Sequence, residues 1–236
     1  MNGNSEDFLT KIDEEHLDIR KLIEHFSLNF PHLKKCIPQI FAVFNGLVVP
    51  LKRGAILFIC GNGGSFSDAM HIKGELAKSF ERERPLTDKK IIKNLSVLPY
   101  GKELIENLEF GFPVVVLGES HSLRSAYGND RDPIYAYAQE LNSFLCRIKD
   151  GVFWGISTSG NARNVIAAMS VAKAYNILTI SFTGPDGGKM AKIADLSLKV
   201  PGKTTADIQE NQLPIYHLLC KMIEAYFFPG NIRSKI

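Results

Sequence analysis

From Gly54 onward, short apolar, β-branched runs alternate with segments whose apolar residues recur every three or four positions. The runs are GAILFIC (54–60), FPVVVLG (112–118), GVFWGIS (151–157), NILTISF (176–182) and ADLSLKV (194–200). Strands buried on both faces read as continuous apolar runs, and their alternation with helical patterns predicts βαβ units around a parallel sheet. Five such strands predict an α/β fold with a flavodoxin-like, doubly wound, five-stranded parallel sheet.

Before residue 54 the period is helical. Phe8, Leu9, Ile12, His16, Ile19, Ile23 and Phe26 share a helical spacing behind Asn4 or Ser5 as N-cap, with Glu6 and Asp7 in the first turn. A second helix after Pro31 carries Leu33, Cys36, Ile37, Ile40, Phe41, Phe44, Leu47 and Val48. That apolar surface is wider than one core contact requires, leaving open burial between subunits or packing on its own domain. The expected organisation is an N-terminal helical pair over 1–53, part of the same domain as 54–228, and a C-terminal tail at 229–236. Residues 86–111 read as an insertion. The whole stretch 81–111 is charged and holds a Pro-Tyr-Gly turn and the amphipathic piece KELIENLEF, which suits a solvated surface excursion or a lid.

Composition narrows the function. With 236 residues, 45% of them hydrophobic, the chain has material for a sizeable core. A formal charge of +3 on 28 basic and 25 acidic residues, with no dense Lys/Arg run, gives no nucleic-acid footprint. Cys36, Cys60, Cys146 and Cys220 are far apart in apolar segments and read as reduced core residues. No apolar stretch reaches the roughly 18 residues of a membrane span, and the polar N-terminus does not read as a secretory signal, so no membrane partner and a cytoplasmic location are expected.

Two turns at strand ends carry candidate chemistry. Gly61-Asn62-Gly63-Gly64-Ser65 precedes a helical pattern, where backbone N–H groups and the helix dipole favour an anion. It is neither a Walker motif nor a full GxGxxG, and taken alone it reads better as a plain strand-to-helix turn. Ser157-Thr158-Ser159-Gly160-Asn161 offers three hydroxyls before another helical run, and the same residue types also suit simple capping. Two such loops on one sheet edge point together to a phosphorylated ligand. On the helix after the first loop, His71 and Glu75 are four residues apart and share a face.

Together and in order, GNGGSFSDAMHIKGELAKSF, YGND (127–130), ISTSGN (156–161), TGPDGGKMAKIADLSLKVP and IQENQLPIYHLLC (208–220) resemble a sugar-isomerase (SIS) domain. The resemblance is greatest to the phosphoheptose isomerases and covers about residues 30–228 apart from the insertion. It implies a homotetramer with active sites at subunit interfaces. The implied reaction converts sedoheptulose 7-phosphate to D-glycero-D-manno-heptose 7-phosphate through an enediol, for surface-glycan heptose such as that of lipopolysaccharide. Carried over by motif, Glu75 and His217 are the acid–base pair, and His71, Glu75, Gln209 and His217 hold one zinc ion. Ser65, Ser157, Thr158 and Ser159 take the phosphate, with Asn62, Asp130 and Gln209 on the sugar.

The chemistry is consistent with those roles. Moving a proton between adjacent carbons needs a base and an acid tunable towards neutrality, and zinc with nitrogen and oxygen ligands and an open position polarises a carbonyl. Eight residues separate Gln209 from His217, about 12 Å of rise and about 80° of rotation, so an undistorted helix cannot place both on one ion. Pro214 between them predicts a bend. Two departures from the family pattern, Ala162 after STSGN and Ala206 ahead of Asp207, bear on substrate identity more than on reaction class. Two other readings are a non-catalytic SIS module that binds a protein partner such as the replication initiator, and an isomerase for another phosphosugar. The joint presence of His71, Glu75, Gln209 and His217 favours catalysis.

Overall fold

A computed structural model describes residues 17–230 and 232. The elements expected from Asn4 to His16 lie outside the described residues. Five strands, β1 (Leu57–Cys60), β2 (Val114–Val116), β3 (Val152–Ser157), β4 (Leu178–Thr183) and β5 (Leu196–Lys199), form one parallel sheet in the order β2-β1-β3-β4-β5. Each falls on an apolar run of the sequence, with β4 extending one residue past its run to Thr183. The order is that of a flavodoxin-like doubly wound sheet, and its switch point falls between β1 and β3.

Strand periodicity divides the core. Leu57, Ile59, Trp154, Ile156, Ile180 and Phe182 point to one face, covered by α1 (Leu17–Asn29), α2 (Ile37–Lys52), α3 (Gly64–Ala77) and α10 (Thr205–Phe227). Phe58, Cys60 and Phe153 point to the other, under α7 (Ala136–Ile148) and α8 (Arg163–Ala174). The wide apolar surface after Pro31 is consumed within the chain: Leu33, Cys36, Ile37, Ile40, Phe44, Leu47 and Val48 are all buried in the first core. Cys36, Cys60 and Cys220 are buried free thiols, whereas Cys146 is exposed on α7, a departure from the core position expected of it.

The insertion is helical. It carries α4 (Lys89–Leu95), whose first turn is capped by Asp88, and α5 (Gly101–Asn107). An antiparallel bridge between Pro85 and Glu109 closes its neck beside the end of α3. The remaining helices are α6 (His121–Asp130) and α9 (Met190–Ile193). The last long helix, α10, opens with a capping box in which Thr204 Oγ1 accepts from the Asp207 amide while Asp207 accepts from the Thr204 amide. Asp207 thus has a structural task one position away from Ala206. α10 is continuous through Pro214, which has no N–H to give the Glu210 carbonyl. Among the described residues, no helix is long and apolar enough to cross a membrane.

Candidate active site

The two glycine- and hydroxyl-rich loops leave adjacent strands at the switch point. After β1, Gly63 adopts φ +54° as the N-cap of α3, and the Ser65 amide donates to the Asn62 carbonyl. A Cβ on Gly64 would stand 2.4 Å from Nε2 of Gln209, so the loop meets α10 backbone to side chain. After β3, the Gly160 amide closes a turn onto the Ser157 carbonyl, and Asn161 donates to Ser159 Oγ. Gly160 holds φ +63°, and a Cβ there would lie 2.1 Å from the Gly187 carbonyl oxygen. The Gly184–Met190 segment therefore clamps this turn, reinforced by bonds from the Gly184 amide to Thr158 O and from the Met190 amide to Gly160 O.

Asn62 is paired rather than free. Its amide exchanges two hydrogen bonds with Asn164 at the start of α8, at 2.9 and 2.8 Å, and its oxygen accepts from the Tyr137 hydroxyl. Burial pushes the Tyr137 phenol up to about 12, aided by the nearby Cys60, so it stays a donor to Asn62 and to the Gly61 carbonyl. Ser65 and Ser157 are buried, Thr158 half-buried and Ser159 exposed. Asp130 ends α6, where its carboxylate accepts from Asn129, and among the described residues no bond joins it to the other candidates.

The titratable cluster lies two helical turns further along. α3 and α10 run side by side in the same direction: Gly64 faces Gln209, Asp68 meets Tyr216, and His71 meets His217. His71 Nε2 lies 3.1 Å from Glu75 Oε1 and 3.4 Å from His217 Nε2. His71 Nδ1 is 3.0 Å from the Tyr216 hydroxyl, which donates to Asp68 Oδ1 at 3.4 Å. Burial, with Asp68 nearby, raises the Tyr216 pKa far above its ordinary value, so the phenol keeps its proton. The Tyr216 hydroxyl at Nδ1 fixes the orientation of the His71 ring, with Nε2 turned towards Glu75 and His217. Burial, then the nearby His71 and Lys221, lowers the His217 pKa and holds this imidazole neutral at physiological pH. Glu75 Oε2 is buried without a hydrogen bond, with the Lys78 ammonium 3.8 Å away.

A groove of about 490 Å³ opens beside His217 between α1 and α10, walled by Leu22, Phe26, Phe30, Leu213 and Pro214. The structure thus brings His71, Glu75 and His217 together, while Gln209 stays at the glycine loop, as the rise of α10 dictates. Sequence reading missed Tyr216, Asp68, Tyr137 and Asn164. The first two carry a usable signal: Asp68 precedes His71 by one helical turn, and Tyr216 adjoins His217.

No family model matches the chain. A phosphoheptose isomerase from Helicobacter hepaticus is 34% identical over 188 residues, covering 80% of this chain and 82% of that protein. The chain belongs to the phosphoheptose isomerase family. It is therefore an isomerase with a sugar-phosphate isomerase role. A solved phosphoheptose isomerase from Neisseria gonorrhoeae superposes with a TM-score of 0.61 at 26% identity, over 87% of this chain and 97% of that one. The sugar isomerase domain of an RpiR transcription factor from Sphaerobacter thermophilus shares the fold, with a TM-score of 0.50 at 16% identity over 87% of this chain and 90% of that one.

Two donor spacings in this cluster suit the zinc that the family resemblance implies. Ligand bonds of about 2.0–2.1 Å at tetrahedral angles place donor atoms about 3.3 Å apart. The His71–Glu75 and His71–His217 separations of 3.1 and 3.4 Å match that spacing, with Nε2 of His71 turned inward and its other nitrogen against the Tyr216 hydroxyl. Among the described residues, no three His, Cys, Asp or Glu side chains are placed to hold a metal ion together.

Proposed function

We propose that this chain interconverts sedoheptulose 7-phosphate and D-glycero-D-manno-heptose 7-phosphate, as a cytoplasmic homotetramer feeding surface-glycan heptose. The observation that carries this reading is the His71, Glu75 and His217 cluster two helical turns below two anion-suited loops on one sheet edge. A chain-form phosphosugar suits that separation, its phosphate against Gly61–Ser65 and Ser157–Ser159 and its carbonyl end at the cluster. Asn62, Asp130 and Gln209 take sugar hydroxyls, with Asn62 exchanging its Asn164 partner for substrate.

In the ketose-to-aldose direction, Glu75 removes a proton from C1 while His217 gives a proton to the C2 oxygen, forming the enediol. The C1 hydroxyl then yields its proton to His217, and the proton held by Glu75 returns to C2. His71, Glu75 and His217 would hold zinc, which when bound polarises the substrate carbonyl. The groove beside His217 and the position of Gln209 support a site completed at a subunit boundary. Incubating zinc-loaded protein with a panel of phosphosugars of five to seven carbons tests the assignment. Turnover of the seven-carbon ketose is expected, and turnover of only a shorter sugar would replace that substrate.

A further inference from the structure

In the charged stretch ERERP after α3, Glu81, Glu83 and Pro85 are exposed but Arg82 and Arg84 are buried. Arg84 and Glu224 form an ion pair in which both side chains are 0% exposed, with Nε 2.8 Å from Oε1. A buried ion pair is costly to desolvate and persists where further hydrogen bonds satisfy both partners. Here the remaining side-chain bonds hold the end of α3 and the loop that follows it. Arg84 Nη2 donates to the backbone carbonyl of Glu75 itself at 3.1 Å, and Nη1 to that of Leu76 at 2.9 Å, fixing the last turn of α3. Glu224 accepts three consecutive amides, Phe80 on Oε1 and Glu81 and Arg82 on Oε2. The first of these belongs to the residue whose ring packs on His217, with centroids 5.4 Å apart. Glu224 follows His217 by seven residues, two turns along the same face of α10.

We propose that Arg84 and Glu224 are positioning residues that set the register of α3 against α10, and so hold Glu75 opposite His217. Neither touches substrate. The guanidinium grips Glu75 by its own carbonyl, and the carboxylate grips the loop that brings Phe80 against the imidazole. The loops suited to phosphate lie at the opposite end of both helices, so a slip here misplaces the proton-transfer groups without disturbing binding. This inference rests on the isomerase reading of the cluster.

The test is steady-state kinetics on Arg84→Lys and Glu224→Asp, which keep each charge but shorten or narrow its reach, with activity expressed per folded protein from thermal unfolding. A drop in kcat of about 10²-fold with KM within about threefold is expected, because an ångström of misplacement costs about that much. Wild-type kcat in the folded variants, or a change in KM alone, overturns the proposal. Phe80→Leu, at a half-buried position, is the companion where the ion-pair variants fold poorly: a kcat loss of about tenfold or more is expected, and an unchanged kcat overturns it. A wild type that turns over no phosphosugar would sink the functional reading instead. Positioning is then judged from the structure of Glu224→Asp, where unchanged His71–Glu75 and His71–His217 contacts contradict it.

Discussion

His71 Nε2 faces His217 Nε2 at 3.4 Å across two helices that run in the same direction, and the Tyr216 hydroxyl behind His71 holds its other ring nitrogen at 3.0 Å. Tyr216→Phe removes that hydrogen bond and its link to Asp68. Loss of such an outer partner lowers metal affinity or activity by about 10–100-fold. Zinc titration and kcat measured on the same preparation should both move in that range.

Gly160→Ala puts a side chain at φ +63°, 2.1 Å from the Gly187 carbonyl oxygen, which is backbone and cannot rotate away. Backbone strain of this kind costs about 1–3 kcal/mol. Denaturant unfolding should show that loss, and KM for the phosphosugar should rise more than kcat falls, because the displaced turn is the one proposed to hold phosphate.

The fold was legible because its strands are buried on both faces and therefore read as unbroken apolar runs. The two loops stood out because glycine and hydroxyl residues fall at the ends of β1 and β3, and the switch point between those strands makes them neighbours. Other features are long-range and leave no local pattern. Asn164 pairs with Asn62 across 102 positions of sequence, and Arg84 sits in a charged run that reads as solvated surface until Glu224 is seen beside it. The separation of Gln209 from His217 was predictable from helix rise alone, whereas the closeness of His71 to His217 required the packing of α3 on α10. The breadth of the α2 apolar face was ambiguous because sequence does not say whether a neighbour is the same chain or another.

Thr204→Ala removes the hydroxyl that accepts from the Asp207 amide and opens the first turn of α10, one turn before Gln209. Such caps contribute about 1 kcal/mol. Thermal unfolding should register that loss, with a modest rise in KM as the Gln209 end frays.

Acid stability should depend on Asp195. Burial raises its pKa, but bonds from Lys173 and from the Thr179 hydroxyl and amide outweigh this and leave it below the ordinary carboxylate value. A depressed folded pKa means stability fully present above the unfolded value, near 3.9, and lost as pH falls through the folded one. Asp195→Asn should be less stable than wild type at neutral pH, and the difference should shrink on acidification below pH of about 4.

The central claim is that Glu75 and His217 move the protons of an aldose–ketose isomerisation. Its most direct measurement is the rate of aldose formation from sedoheptulose 7-phosphate by zinc-loaded wild type, Glu75→Gln and His217→Ala, each with its folded state verified. The account predicts turnover by the wild type and losses of about 10²–10⁴-fold in kcat for each variant. No product from the wild type, or undiminished rates in both variants, would contradict it.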